Sequence, residues 1–195
     1  MFSVFLWDKK SNAYFATQNQ QTVEDGLLQE LLTVSSELTV AKNAFIVPEG
    51  KVDQHIYFIE RGAVRVFLQS EFEELTIRFG YQGSFITSLS SFIKGTPSEF
   101  YIQAIRATKL RVISKVQFQE YIDCDDRYLK LYNAILEGLV LQQLEREIDL
   151  LTYSPSERLQ RVLERSPNVF QEIPSKYIAS YLRMTPETLS RIRKS

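Results

Sequence analysis

Turn signals recur through residues 44–114: PEG at 48–50, RG at 61–62, QGS at 82–84 and KGTPS at 94–98. Between them stand HIYFIE, AVRVFLQ, ELTIRFG, FYIQAI and KLRVIS, short runs rich in β-branched and aromatic side chains. A chain broken this often cannot form long helices. Strands this short must bury one face against a second layer, so the segment is predicted to be a β-sandwich or barrel. From Lys115 the period becomes helical, first in VQFQEYI and then in CDDRYLKLYNAILEGLVLQQLEREIDLLTY. Residues 22–40 also open with helical spacing, Leu27, Leu28, Leu31 and Leu32 sharing a face. Helices that flank a run of strands make the fold class α+β.

The long helical segment starts at Asp125 or Asp126, either of which can cap it. Along it Leu129, Tyr132, Leu136, Leu139, Leu144, Ile148 and Leu151 recur at spacings of three to five, and Leu131, Ile135 and Val140 widen the stripe. A stripe this wide needs cover on more than one side. A core helix of one subunit is the plainer explanation. The better one is a helix that packs on its own domain and on a second copy, with Leu136, Leu139, Val140, Leu144 and Ile148 at the dimer interface. Next, in SPSERLQRVLERSP, Ser154 or Ser156 can cap, Pro155 suits the first turn, and Pro167 closes the helix.

Several classes are excluded or disfavoured. No apolar run approaches the ~20 residues that span a bilayer, so no membrane partner is expected. MFSVFLWDKK lacks the charge order and cleavage site of a secretory signal, which makes a cytoplasmic protein the expectation. Cys124 is the only cysteine, so neither an intrachain disulfide nor a four-thiolate cluster can form. His55 is the only histidine and has no companion ligand, so a packing or surface role is expected and no metal site. There is no glycine-rich phosphate loop, HExxH or GxSxG, and an enzyme finds little support.

Charge is unevenly spread. Residues 152–195 hold eight basic and four acidic side chains, a net +4, whereas residues 1–151 carry −5. A basic end on an acidic body suits a polyanion-binding module. That end reads IPSKYIASYLRMTPETLSRIRK from Ile173 to Lys194. Pro174 to Leu182 is predicted to be a two-turn helix with Tyr177, Ile178, Tyr181 and Leu182 apolar and Ala179 small enough for a close crossing. Arg183 and Met184 make the turn. Thr185 caps a second helix with Pro186 at its first position. Leu189 and Ile192 point inward, leaving Glu187, Thr188, Arg191 and Lys194 outward. This is the layout of a helix-turn-helix whose second helix reads the major groove. Ser175, Thr185 and Thr188 suit phosphate oxygens, Arg191 a guanine edge, and Arg193 and Lys194 the backbone. An ordinary helical hairpin with a solvated face shares the periodicity.

The order of these parts resembles the cyclic-AMP receptor protein / fumarate-nitrate-reduction regulator (Crp/Fnr) family of bacterial transcription factors. PEGKVDQHIYFIERGAVRVF (48–67) is similar to its β-roll signature, with Gly50 and Gly62 at the turn glycines, and the C-terminal motif is similar to its DNA reader. The resemblance implies a cyclic-nucleotide-binding-like β-roll (jelly roll) with an N-terminal helix in 1–124, a dimerisation helix in 125–151 and a helix-turn-helix in 152–195, winged-helix-like but without the wing. It implies double-stranded DNA and a second copy of the chain as partners, with RNA polymerase and an unknown small molecule as further candidates. Glu187 and Arg191 fall on positions that contact bases in the cyclic-AMP receptor branch. Pro186 replaces a DNA-contacting arginine, and Arg183 stands where the turn usually has glycine.

The family's nucleotide cradle uses a glutamate for the ribose and an Arg-Ser pair for the cyclic phosphate. Here Ser88 aligns with the glutamate, Ser98 with the arginine and Glu99 with the serine, while Gln143 and Leu144 replace the hydroxyls that meet the purine. A carboxylate beside a phosphate is repulsive, so cyclic AMP is not expected and the effector is unknown. Phe85, Thr87, Ser88, Ser98, Glu99, Tyr101 and Gln143 form the candidate effector pocket. The alternative function is a ligand- or protein-binding β-roll with a degenerate DNA-binding end.

Overall fold

The computed structural model describes residues 18–194, with side chains from Gly26 onward, and the reading of MFSVFLWDKK lies outside them. The chain runs α1 (Gln18–Val34), β1 (Ser36–Val40), β2 (Phe45–Val47), β3 (His55–Arg61), β4 (Ala63–Gln69), β5 (Glu74–Tyr81), β6 (Phe85–Ile86), α2 (Leu89–Lys94), β7 (Tyr101–Ala104) and β8 (Thr108–Ser114). It continues through α3 (Lys115–Cys124), α4 (Arg127–Leu151), α5 (Pro155–Arg165), α6 (Val169–Glu172), α7 (Ser175–Tyr181) and α8 (Pro186–Lys194). The expected sandwich is present as two antiparallel sheets, ordered β1-β8-β3-β6 and β2-β7-β4-β5.

The strand period decides which layer each residue serves. In β3, Tyr57 and Ile59 point between the sheets, where they meet Val64, Val66, Ile102 and Leu110. Ile56 and Phe58 point the other way, into a cluster with Leu28 and Leu31 of α1, Phe118 of α3 and Leu131, Ile135 and Leu139 of α4. A third cluster joins Ala63, Tyr81 and Ile105 of the roll to Leu159, Val162, Val169, Ile178, Leu182 and Leu189. The helical C-terminal part is therefore seated on the roll, sharing one apolar cluster with it.

Caps mark the helix starts. Ser114 and Gln117 form a capping box on α3, and the Ser154 hydroxyl accepts from the Glu157 N–H on α5. At α4 Asp126 holds the N-cap position but its side chain makes no cap bond, and Asp125 Oδ1 instead accepts from the Arg127 N–H at 2.9 Å. After Pro167, where the sequence predicts only an end, the chain makes the short α6.

Helix α4 is two-faced, but its faces divide differently from the sequence reading. Leu139, expected at a dimer interface, is 1% exposed and lies in the core of its own subunit. Leu136 is partly buried beside it. Val140, Leu144 and Ile148, with Leu129 and Leu151, stay exposed along the other side. Leu139 follows Leu131 and Ile135 at steps of four, which keeps it on the roll side of the helix.

Three of the left-handed backbone positions shape turns that the sequence singles out. Gly62 has φ 108°, and a Cβ there would lie 2.7 Å from Thr108 Cα and 2.8 Å from the Ala107 carbonyl oxygen. Gly50 has φ 79° with open space around it. Arg183, where a glycine is usual, has φ 54° and ends α7 in a Schellman motif: its N–H donates to the Ser180 carbonyl, and the Met184 N–H to that of Ala179.

These environments predict distinct stabilities in urea titrations. Gly62→Ala, which is both strained and blocked by backbone, should cost about 2–3 kcal/mol. Gly50→Ala, which is only strained, should cost about 1 kcal/mol. Arg183→Gly should raise stability by about 0.5–1 kcal/mol, since relief of the left-handed strain exceeds the added chain entropy. An equal loss for the two glycine variants would contradict the steric assignment at Gly62.

Candidate nucleic-acid interface

The helix pair α7 and α8 is built from a small apolar wedge. Ile178, Ala179, Leu182 and Leu189 are almost fully buried, and Met184 and Ile192 pack against them. Thr185 caps α8: its hydroxyl accepts from the Thr188 N–H at 3.2 Å and donates to the Thr188 hydroxyl at 3.1 Å. Pro186 holds the first helical position, Glu187 lies in the first turn, and Arg191, Arg193 and Lys194 lie in the last. That order complements the helix dipole as well as a polyanion.

Helix α7 is held to the roll. The Ser180 hydroxyl donates to the Glu74 carbonyl at 2.9 Å and accepts from the Thr76 N–H at 3.0 Å, completing part of the open edge of β5. Arg146 of α4 donates to the Thr76 carbonyl at 3.1 Å on the same strand. Arg65 lies over the rings of Phe67, at 3.9 Å, and Tyr177, at 4.3 Å, and pairs with Glu74 at 2.6 Å. Arg158 of α5 donates to the Leu182 carbonyl at 2.9 Å, fixing the end of α7. An ion pair of Arg106 with Glu172 ties the β7–β8 turn to α6.

With α7 seated in this way, α8 presents Glu187, Ser190, Arg191 and Lys194 to solvent. Their spacing of three, four and seven makes one face. The sequence reading does not single out Ser190, although its step of three from Glu187 marks it. Thr188 is half-buried, and its hydroxyl is engaged by Thr185. Arg193 lies apart from this face, its guanidinium 3.9 Å from the centre of the Phe170 ring. Ser175 and Thr185 are exposed at the starts of the two helices.

The candidate effector residues divide between the buried core and the surface. Ser98 donates to the Phe100 carbonyl at 2.8 Å, so Ser88 supplies the proton of the 2.7 Å bond between the two serines. Both are buried. Thr87 donates to the His55 carbonyl. Tyr101 stacks on Phe67, and Glu99 and Gln143 are exposed. His55 bonds Asp53 at 2.7 Å. Two hydroxyls that satisfy one another offer no cation to a cyclic phosphate and no carboxylate to a ribose, so this cradle does not fit a cyclic nucleotide. A cavity of about 510 Å³ exists elsewhere, between β5, α4 and α5; of the seven candidates only Phe85 lines it.

Among the described residues no helix is long and apolar enough to cross a membrane, and no group of three or more His, Cys, Asp or Glu could hold a metal ion.

Residues 37–125 match the cyclic nucleotide-binding domain. No curated protein sequence is significantly similar to the chain. Among solved structures, FixK2 from Bradyrhizobium japonicum superposes with a TM-score of 0.69 at 21% identity, over 83% of each chain. A mutant of CooA from Carboxydothermus hydrogenoformans gives 0.66 at 18% identity, over 85% of this chain and 77% of its own. The c-di-GMP responsive global regulator CLP from Xanthomonas campestris gives 0.65 at 17%, over 87% of this chain and 90% of its own. The expected architecture of roll, long helix and C-terminal helices is thus met. Residues 37–125 are similar to the cyclic nucleotide-binding domain, and the chain as a whole shares the fold of these solved structures.

Proposed function

We propose that the protein is a cytoplasmic transcriptional regulator, not an enzyme, that binds double-stranded DNA as a homodimer at an inverted-repeat operator. The observation that carries this reading is the α8 face: Glu187, Ser190, Arg191 and Lys194 are exposed together, while α7 is anchored behind them. Arg191 donates to a guanine edge and Glu187 accepts from a cytosine amino group, and such pairs discriminate by about 1–3 kcal/mol. Lys194, Ser175 and the capped start of α8 meet phosphates. Solved structures of the same fold that are described as regulators support the assignment.

The second copy docks on the exposed side of α4. Val140, Leu144 and Ile148 are each close to half exposed and share one stripe. RNA polymerase is the natural further partner of such a regulator. Cyclic AMP is not its effector, because Ser88 and Ser98 bond each other where the glutamate and arginine of a nucleotide cradle belong.

Selection from a random DNA pool should return a palindrome with half-sites about 34–36 Å apart. Arg191→Ala should relax one base pair in each half-site. Lys194→Ala should weaken all sequences alike and reduce the salt slope by about one. No palindrome from the wild type would sink the symmetric reader. Val140→Asp with Leu144→Asp should sediment as a folded monomer, whereas Leu139→Asp should lose helix signal altogether. If all variants sediment like the wild type, the interface lies elsewhere. Calorimetry with cyclic AMP should give no heat at micromolar concentrations, and a measurable isotherm there would overturn its exclusion.

A further inference from the structure

The cavity between β5, α4 and α5 holds an unusual cation. Arg78 of β5 lines it and donates to the Leu139 carbonyl at 2.8 Å. Among the described residues no carboxylate pairs with it. Burial pushes its pKa down to about 10, which still leaves it charged at neutral pH. The other two arginines on the wall are neutralised. Arg161 bonds Asp149 at 2.9 Å and Glu145 at 2.8 Å, and Arg165 pairs with the same two carboxylates. Glu164 stands exposed and takes a hydrogen bond from Gln160.

The wall also carries apolar and aromatic side chains, among them Phe79, Tyr81, Phe85 and Tyr181, with Ser84, Gln142 and Ser166 as neutral polar groups. Gly138 of α4 also lines the space and brings no side chain into it. A volume of about 510 Å³ lies within the range of metabolite-sized sites. An uncompensated guanidinium on an apolar wall disfavours both an empty site and a neutral ligand, because its remaining N–H groups lack an anion. Ser88 and Ser98 do not line this space.

We propose that the cavity binds a small organic anion with an apolar, ring-sized body, its acidic group taken by the Arg78 guanidinium. Such a ligand touches the roll, the long helix α4 and the C-terminal helix α5 at once. It therefore ties α5 to the roll in the arrangement seen here, and in that sense it is the effector of the regulator proposed above. This regulatory consequence rests on that reading; the binding itself does not.

The test uses the full chain without DNA, so its failure is separable from failure of DNA recognition. The probe is anilinonaphthalene sulfonate, an apolar anion that fluoresces when withdrawn from water. Phenylnaphthylamine, its uncharged analogue, is the control. One sulfonate per subunit should bind, and Arg78→Gln should weaken it about tenfold, as expected for loss of a charge-assisted bond, while leaving the neutral dye unchanged. Arg78→Lys should keep most of the sulfonate affinity. Gln142→Phe, on the exposed cavity side of α4, should weaken both dyes by filling the space, and it decides the location even if Arg78→Gln does not fold. The proposal is overturned if the wild type binds no sulfonate, if Arg78→Gln or Arg78→Lys changes both dyes equally, or if Gln142→Phe changes neither.

Discussion

Leu131, Ile135 and Leu139 bind α4 to the roll, and every later part of the chain takes its position from that contact. The three are nearly fully buried against Phe58, Phe85, Phe118 and the leucines of α1. At about 1.5–3 kcal/mol for each such side chain, the contact is strong enough to fix the rotation of a 25-residue helix about its axis. Once the rotation is set, so is the direction of the opposite stripe. Val140, Leu144 and Ile148 then have one outlook, toward whatever covers α4 from outside. The far end of the helix delivers Arg146 to β5 and Asp149 to α5.

The sheet edge supplies the second tie. Strand β5 ends its sheet, and an open edge exposes backbone groups that attract stray strands. Here the Glu74 carbonyl and Thr76 N–H are met by Ser180, and the Thr76 carbonyl by Arg146. Protection of the edge and placement of the α7–α8 pair are thus one interaction. The stacked Arg65, wedged between Phe67 and Tyr177, makes the same joint from the sheet's face. Because α7 is used up in this joint, α8 is the helix left to face a partner. The division of labour within the helix pair follows from which one carries Ser180.

Local chemistry makes much of this legible in the sequence. The turn glycines at 50 and 62, the strand character of HIYFIE, and the caps at Ser154 and Thr185 can be read from a few neighbouring residues, and the left-handed position at Arg183 from the resemblance. What stays hidden depends on side-chain direction between distant elements. On α4 the apolar residues wrap so far round the helix that spacing alone does not assign Leu139 inward and Val140 outward; only the position of Phe58 and Phe85 decides it. Nor does spacing separate Arg193 from Lys194, because the difference lies in the Phe170 ring of α6 beneath the Arg193 guanidinium. Ser190 is within reach of the same spacing argument that finds Glu187. The effector residues rest on a resemblance, and an alignment does not reveal that the two serines satisfy each other in the core.

The two serines also explain where charge is left to act. A carboxylate and an arginine buried in the roll would each demand an ionic partner. Ser88 and Ser98 demand only one another and the Phe100 carbonyl, so the roll closes over them as neutral core. Buried ionic groups also stand where the roll, α4 and α5 meet. Asp149, 1% exposed, is balanced there by Arg161 and Arg165. Arg78, in the same region, has a carbonyl and, among the described residues, no carboxylate. Removing one partner of a buried pair strands the other charge, so the Asp149 cluster holds the joint closed in any state that keeps its partners together. On the proposal above, the Arg78 guanidinium is the wall arginine whose charge the bound anion balances. In the regulator proposed above, control therefore belongs to the joint itself, next to helices α7 and α8, and not to the interior of the roll.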